Sequence, residues 1–402
     1  MSKTPRGERL IIALVGKRNA GKSSLINAFV GQEIAIVSEV PGTTTDPVAK
    51  QYELLPLGPV TFYDTAGVDD IGDLGAKRVA STSKVLYRTD VVIFVSDGQK
   101  FLPSELEMID KIKGMKIPML MVFNKADLAD ADESNISYCK AHEIPFAKVS
   151  AKDKKGIDEA KFALIDLSPK PISMDRQILG DIIPEKARII LVCPIDAGAP
   201  KGRLILPQVQ TIRDILDANS TAIVVKDTEL KDALDMLKDP PDLVVTDSQI
   251  VREVDKITPA GIPLTTFSIL FARYKGELEL LLTGINAIDE LKDGDKVLIA
   301  EACSHHAQED DIGRNKLPRW IKEYTGKDLI FDVYAGHDFP ENLEDYAISI
   351  HCGGCMINAA EMNRRIQECY RRGVPITNYG LVISKVQGSF DRAIAPLLEN
   401  LR

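Results

Sequence analysis

Leu10-Ile-Ile-Ala-Leu-Val15 runs directly into Gly16-Lys17-Arg18-Asn19-Ala20-Gly21-Lys22-Ser23, and this junction decides the fold. Six apolar residues without polar alternation read as a strand buried on both faces, the kind found inside a parallel sheet. A helical run starts at Ser24. The intervening octet is therefore G-x-x-x-x-G-K-S in the strand, loop and helix setting that a phosphate loop requires. Its glycines let main-chain N–H groups wrap phosphates, and the helix N-terminus favours their negative charge. Lys22 reaches the outer phosphates and Ser23 holds Mg2+. Asn19, Gly21, Lys22, Ser23 and Ser24 are the candidate contacts.

Three further motifs extend this site. Asp64-Thr-Ala-Gly67 follows the apolar stretch Val60 to Tyr63, placing a carboxylate at a strand end for the Mg2+ shell and a glycine N–H to sense the γ-phosphate. Asn124-Lys125-Ala126-Asp127 follows the run Pro118 to Phe123. A carboxylate at Asp127 accepts from N1 and N2 of guanine, a donor pair that adenine lacks, so the motif selects GTP. Ser150-Ala151-Lys152 closes the base pocket. In this order the motifs resemble the GTPase superfamily over residues 1–168. The loop Gly42-Thr43-Thr44-Thr45-Asp46, with Asn19, narrows the resemblance to tRNA-modification and ribosome-assembly GTPases. That likeness implies Thr44 as a Mg2+ ligand, Asn19 as a K+ ligand, and Lys22, Thr44, Gly67 and Asn19 as the hydrolytic set. Val68 has no side-chain hydrogen bond to orient water. Slow intrinsic hydrolysis, stimulated by K+, is expected.

After Leu167-Ser-Pro-Lys-Pro-Ile-Ser173, a proline-bearing linker, the strand pattern restarts. Arg188 to Pro194, Ala222 to Lys226 and Asp242 to Thr246 read as strands alternating with helical stretches, a small parallel α/β unit over 180–265. It carries no chemistry of its own; Cys193 reads as a packing residue. Dimerisation is its expected role. Residues 266–402 form a third domain. There Lys296 to Ala302 reads as a strand delivering Cys303-Ser304-His305-His306, and Tyr346 to Ile350 as one delivering His351-Cys352-Gly353-Gly354-Cys355. Ligands in open parallel sheets collect beyond the carboxyl ends of strands, so neighbouring strands would bring both segments together. Three thiolates suit zinc or an iron-sulfur cluster. The expected fold is thus α/β in three domains: a Ras-like P-loop GTPase, a parallel α/β dimerisation domain and an α/β metal-binding domain.

A GTPase domain followed by Cys-x-His, a long gap and His-Cys-x-x-Cys resembles the HydF family of [FeFe]-hydrogenase maturation GTPases, over the whole chain. The resemblance implies a [4Fe-4S] cluster on Cys303, Cys352 and Cys355. His305 and His351, which belong to the family motif, and Glu309 and Asp310 are candidates for the fourth iron position. It also implies a scaffold or carrier that receives a diiron precursor from two radical-SAM maturases and passes it to apo-[FeFe]-hydrogenase. Arg314, Lys316 and Arg319 read as a solvated basic loop in preference to an anion site. Cys139, Cys369, His142 and His337 have no ligand-spaced partners and receive no function.

Composition bounds these readings. The 402 residues are 45% hydrophobic and 27% charged, ordinary for globular protein, and the net charge is -9. An acidic balance counts against nucleic-acid binding, and so against the competing reading as an RNA-modification or ribosome-assembly GTPase. An electron-transfer enzyme would want four firm cysteine ligands and a second redox centre. Met1 to Arg9 leaves no room for a signal peptide, and no apolar run approaches the ~20 residues of a membrane span. A cytoplasmic homodimer is expected, with its six cysteines free or metal-bound.

Overall fold

The computed structural model describes residues 7, 9–30, 48–65, 82–170, 176–195, 204–302, 311–340 and 342–398. They fall into two compact units, Met1–Pro171 and Ile172–Arg402. Thr44, Gly67 and Val68, the 171–173 part of the linker, and Cys303, His305, His306, Glu309 and Asp310 lie outside the described residues.

In the first unit the elements run β1 (Leu10–Val15), α1 (Lys22–Val30), β2 (Val48–Leu54), β3 (Gly58–Asp64), α2 (82–88), β4 (Val91–Ser96), α3 (Pro103–Gly114), β5 (Met119–Phe123), α4 (Glu133–Ala141), β6 (Phe146–Lys148) and α5 (Ile157–Leu167). One six-stranded sheet has the order β2-β3-β1-β4-β5-β6, antiparallel only between β2 and β3. β1, β4 and β5 are buried along their whole length, which is why their sequences are unbroken apolar runs. Strand alternation splits β1 between two cores: Ile12 and Leu14 pack with Leu25, Ile26 and Leu164, while Ala13 and Val15 pack with Met108, Ile109 and Ile112. The register sets Leu14 beside Asp64 and Val15 beside Phe94, so the phosphate loop and the Asp64 carboxylate leave the sheet at the same end.

The second unit contains β7 (Arg188–Val192), α6 (Leu206–Asp217), β8 (Thr221–Val225), α7 (Leu230–Met236), β9 (Leu243–Thr246), α8 (Val251–Ile257), β10 (Leu264–Thr266), α9 (Phe267–Lys275), α10 (Leu278–Gly284), β11 (Lys296–Glu301), α11 (Leu317–Thr325), β12 (Ile330–Ala335), β13 (Ile348–His351), α12 (Ala359–Arg371), β14 (Ile376–Asn378), α13 (Tyr379–Val386) and α14 (Phe390–Leu398). Two all-parallel four-stranded sheets result, β8-β7-β9-β10 and β12-β11-β13-β14. Each therefore places its second strand outside its first and its third and fourth on the other side, and each closes with a strand that passes straight into a helix. Thr266 and Asn378 cap those helices, accepting from Ile269 N and Gly380 N. α9 and α13 meet through Ser268 Oγ, 3.2 Å from both Asn378 Oδ1 and Gly380 N. One hydrophobic core, from Ile178 to Leu397, runs through both sheets. The expected boundary between 265 and 266 falls within β10, which passes directly into α9.

Candidate nucleotide site and candidate metal-binding turn

In the first unit, Lys22 is buried and its Nζ donates to the carbonyls of Gly16 and Lys17, 2.9 Å each, curling the loop around its own ammonium. Ser23 Oγ bonds Asp64 Oδ2, which brings together the two groups expected around Mg2+. Asn124, also buried, joins the segments expected to read the base and to wrap the phosphates: its Nδ2 donates to Ala20 O at 3.0 Å and its Oδ1 accepts from Ala151 N at 3.0 Å. Gly21 sits at φ +95°, and a Cβ there would lie 2.2 Å from Asn124 Nδ2. Ser150 Oγ donates to Asp127 Oδ1 at 2.8 Å and accepts from Asp153 N, holding that carboxylate in place. Asn19, Ser24, Asp127 and Lys152 are exposed. Lys125 and Asn19 adopt left-handed φ of 64° and 60°. An ion pair the sequence did not signal, Lys17 Nζ to Asp97 Oδ1 at 2.7 Å, ties the loop to the end of β4.

In the second unit, β11 and β13 are parallel neighbours with Ala300 beside His351, as the placement of the cysteine segments at their ends requires. Ala302 N donates to Cys352 Sγ at 3.1 Å, and Gly354 N does so at 3.5 Å. Burial pushes the Cys352 thiol up to about 11, against those two amides. Cys355 is pushed up by burial too, opposed chiefly by Lys275. Metal binding here would release protons. Among the described residues no three His, Cys, Asp or Glu side chains gather as a metal site, and the third implied thiol, Cys303, lies outside them. What is present fits a cluster: two half-buried thiols, N–H groups directed at sulfur, and cations that offset thiolate charge.

Those cations are Lys275 and Arg365, both buried. Lys275 Nζ donates to the carbonyls of Gly354 at 2.9 Å, Cys355 at 3.3 Å and Ile357 at 3.0 Å. Arg365 donates to His351 Nε2 at 3.0 Å, Gly336 O at 2.7 Å and Glu361 Oε1 at 2.6 Å, and Glu361 Oε2 lies 2.9 Å from His337 Nδ1. A guanidinium can only donate, so His351 Nε2 accepts and its Nδ1–H donates to Cys352 O at 2.8 Å. Both ring nitrogens are engaged in a side chain that is 1% exposed. Burial, then the Arg365 charge, push its pKa down to about 3. As an iron ligand His351 would have to give up Arg365. His337, which the spacing left without a role, is part of this network. Among the basic residues, Arg314 pairs with Glu301 at 3.2 Å, Lys316 lies 3.4 Å from Gln249 and Arg319 lies 3.8 Å from Glu323.

Three known families match successive parts of the chain. Residues 11–125 match the family described as 50S ribosome-binding GTPase, residues 178–276 the Hydrogen maturase F dimerization domain, and residues 279–396 the Hydrogen maturase F tetramerization domain. GTPase Der of Campylobacter hominis is 34% identical over 166 residues, 41% of this chain and 36% of that protein. The tRNA modification GTPase MnmE of Alkaliphilus metalliredigens is 34% identical over 166 residues, 40% and 34% of the two chains. The chain spans about a third of the length of these curated relatives. Among solved structures, the G domain of the T. maritima FeoB iron transporter is 23% identical with a TM-score of 0.32, covering 40% of this chain and 98% of that one. No helix among the described residues is long and apolar enough to cross a membrane. With a GTPase domain at its start and both maturase domains behind it, the chain belongs to the hydrogen maturase F family.

Proposed function

We propose that this chain is a GTP-hydrolysing scaffold that carries a [4Fe-4S] cluster and takes part in assembling the diiron active-site cluster and delivering it to apo-[FeFe]-hydrogenase. The observation that carries the cluster reading is the bond from Ala302 N to Cys352 Sγ across neighbouring strands, since Ala302 immediately precedes Cys303 in the sequence. Family membership supports the maturation role. Cys303, Cys352 and Cys355 would hold three irons, and the fourth would fall to His305, His351, Glu309 or Asp310, to His351 only on giving up Arg365. Bound there, the cluster would supply an iron able to exchange a ligand. His351 orients the turn by donating to Cys352 O.

In the GTPase domain Lys22 exchanges loop carbonyls for phosphate oxygens, Ser23, Asp64 and Thr44 serve Mg2+, Asn19 serves K+, and Asp127 reads guanine. Gly67 senses the γ-phosphate. The partners are radical-SAM maturases and the apo-hydrogenase, met in a reducing cytoplasm by an oligomer of this chain.

Anaerobic reconstitution with iron and sulfide tests the assignment. The wild type is expected to bind iron and give a cubane EPR signal on reduction, and Cys303→Ser, Cys352→Ser and Cys355→Ser each to lose it. Undiminished cluster content in these variants would sink the ligand set.

A further inference from the structure

α9 ends the first of the two sheet repeats, yet its last residue is spent on the second. Phe267, Phe271 and Lys275 follow one another at four-residue spacing on the buried face of this helix, and Lys275 has no exposed surface. Its ammonium enters the turn after β13 and meets the carbonyls of Gly354, Cys355 and Ile357. Three main-chain carbonyls thus accept from one ammonium group, which has three N–H to give. The turn is shaped to present those carbonyls: Gly354 is left-handed at φ +64°, and a Cβ there would lie 2.4 Å from Met362 Cε. The helix that delivers the ammonium is anchored at the same end. Arg176 donates to Gly276 O at 2.9 Å, and Arg273 pairs with Asp181.

We propose that Lys275 is the positioning residue of the metal-binding turn, a buried cationic clasp that holds residues 352–357 in ligating shape before metal arrives and sets a fixed positive charge beside the thiolates afterwards. The clasp spans the two matched domains, since Lys275 belongs to 178–276 and the turn to 279–396. Holding the loop in advance lowers the ordering cost of metal binding. A fixed cation in a low-dielectric site favours the more negative, reduced form of whatever the thiolates bind. This second half rests on the cluster reading; the first does not.

The test uses the full-length chain as wild type, Lys275→Met and Lys275→Gln, with folding checked by the fluorescence of the single tryptophan, Trp320. In metal-free protein, hydrogen exchange is expected to accelerate at the amides of 352–357 in Lys275→Met, while β11 and β13 stay protected; an unchanged turn would overturn the clasp. After anaerobic reconstitution with iron and sulfide, redox titration followed by EPR is expected to show the Lys275→Met cluster harder to reduce by about tenfold, 59 mV for one electron. Lys275→Gln, which keeps a donor and loses the charge, is expected to regain part of the exchange protection and none of the potential. Equal potentials in all three proteins would overturn the charge role. A wild type that binds no iron would defeat the cluster reading and leave exchange at the turn to decide the clasp.

Discussion

Arg365 Nη1 lies 3.0 Å from His351 Nε2, and the same guanidinium holds Glu361 at 2.6 Å. One cation therefore fixes both the residue before the first thiol of the turn and a buried carboxylate on α12. Removing one member of a buried pair strands the other, at a cost of about 3–5 kcal/mol. Arg365→Met is expected to destabilise the second unit by that amount, read as a lower denaturant midpoint by Trp320 fluorescence. Since Trp320 is the only tryptophan, the signal reports this unit alone.

Glu361 makes the same network sensitive to acid. Burial raises its carboxyl pKa, but the His337 hydrogen bond and the Arg365 charge outweigh burial and hold it below the ordinary 4.5. A carboxyl lowered on folding binds its proton more readily in the unfolded chain, so its stabilisation is present above that ordinary value and is lost as pH falls through the lowered one. Stability of the second unit should drop as pH is taken below about 4.5, and Glu361→Gln should flatten that portion of the profile.

Gly21 couples two parts of the nucleotide site. Gly21→Ala would set a Cβ against Asn124 Nδ2 at a φ that disfavours side chains, displacing the amide that ties Ala20 to Ala151. GTP affinity is expected to fall at least about tenfold, or roughly 1.4 kcal/mol, by equilibrium binding, with circular dichroism unchanged.

Asn19 stands exposed on the phosphate loop with a left-handed backbone, and the K+ role proposed for it can be tested directly. Replacing K+ by Na+ at constant ionic strength should slow GTP hydrolysis in the wild type and leave Asn19→Ala unaffected. Equal wild-type rates in the two salts would remove the K+ role.

Much of this was legible in the sequence, for physical reasons. β1 spans Leu10–Val15 as read, because a strand buried on both faces leaves an uninterrupted apolar run. β11 and β13 were legible as carriers of the cysteine segments, and they are neighbours. β12 escaped, since Ile330-Phe-Asp-Val-Tyr-Ala335 is an edge strand with Ile330 and Val333 exposed and has neither a full apolar run nor a clean alternation. β10 was hidden in the run Ile262 to Ala272, where strand passes into helix with no loop to mark the change. The repeated sheet order had no signal, because the two halves share topology without sharing motifs. Lys275 and Arg365 did leave one: each is a charge inside an apolar helical stripe, after Phe267 and Phe271 in one case and among Met362, Ile366 and Cys369 in the other. Which nitrogen of His351 is engaged, and by what, depends on a residue on another element, so the motif could not show it.

Carriage of cluster material to a hydrogenase, as proposed for this chain, has a direct assay. Purified protein loaded in the presence of the radical-SAM maturases, then separated from them and mixed with apo-[FeFe]-hydrogenase, should restore hydrogen evolution in proportion to the loaded chain added. A loaded chain that restores none, with RNA co-purifying in place of iron, would contradict it.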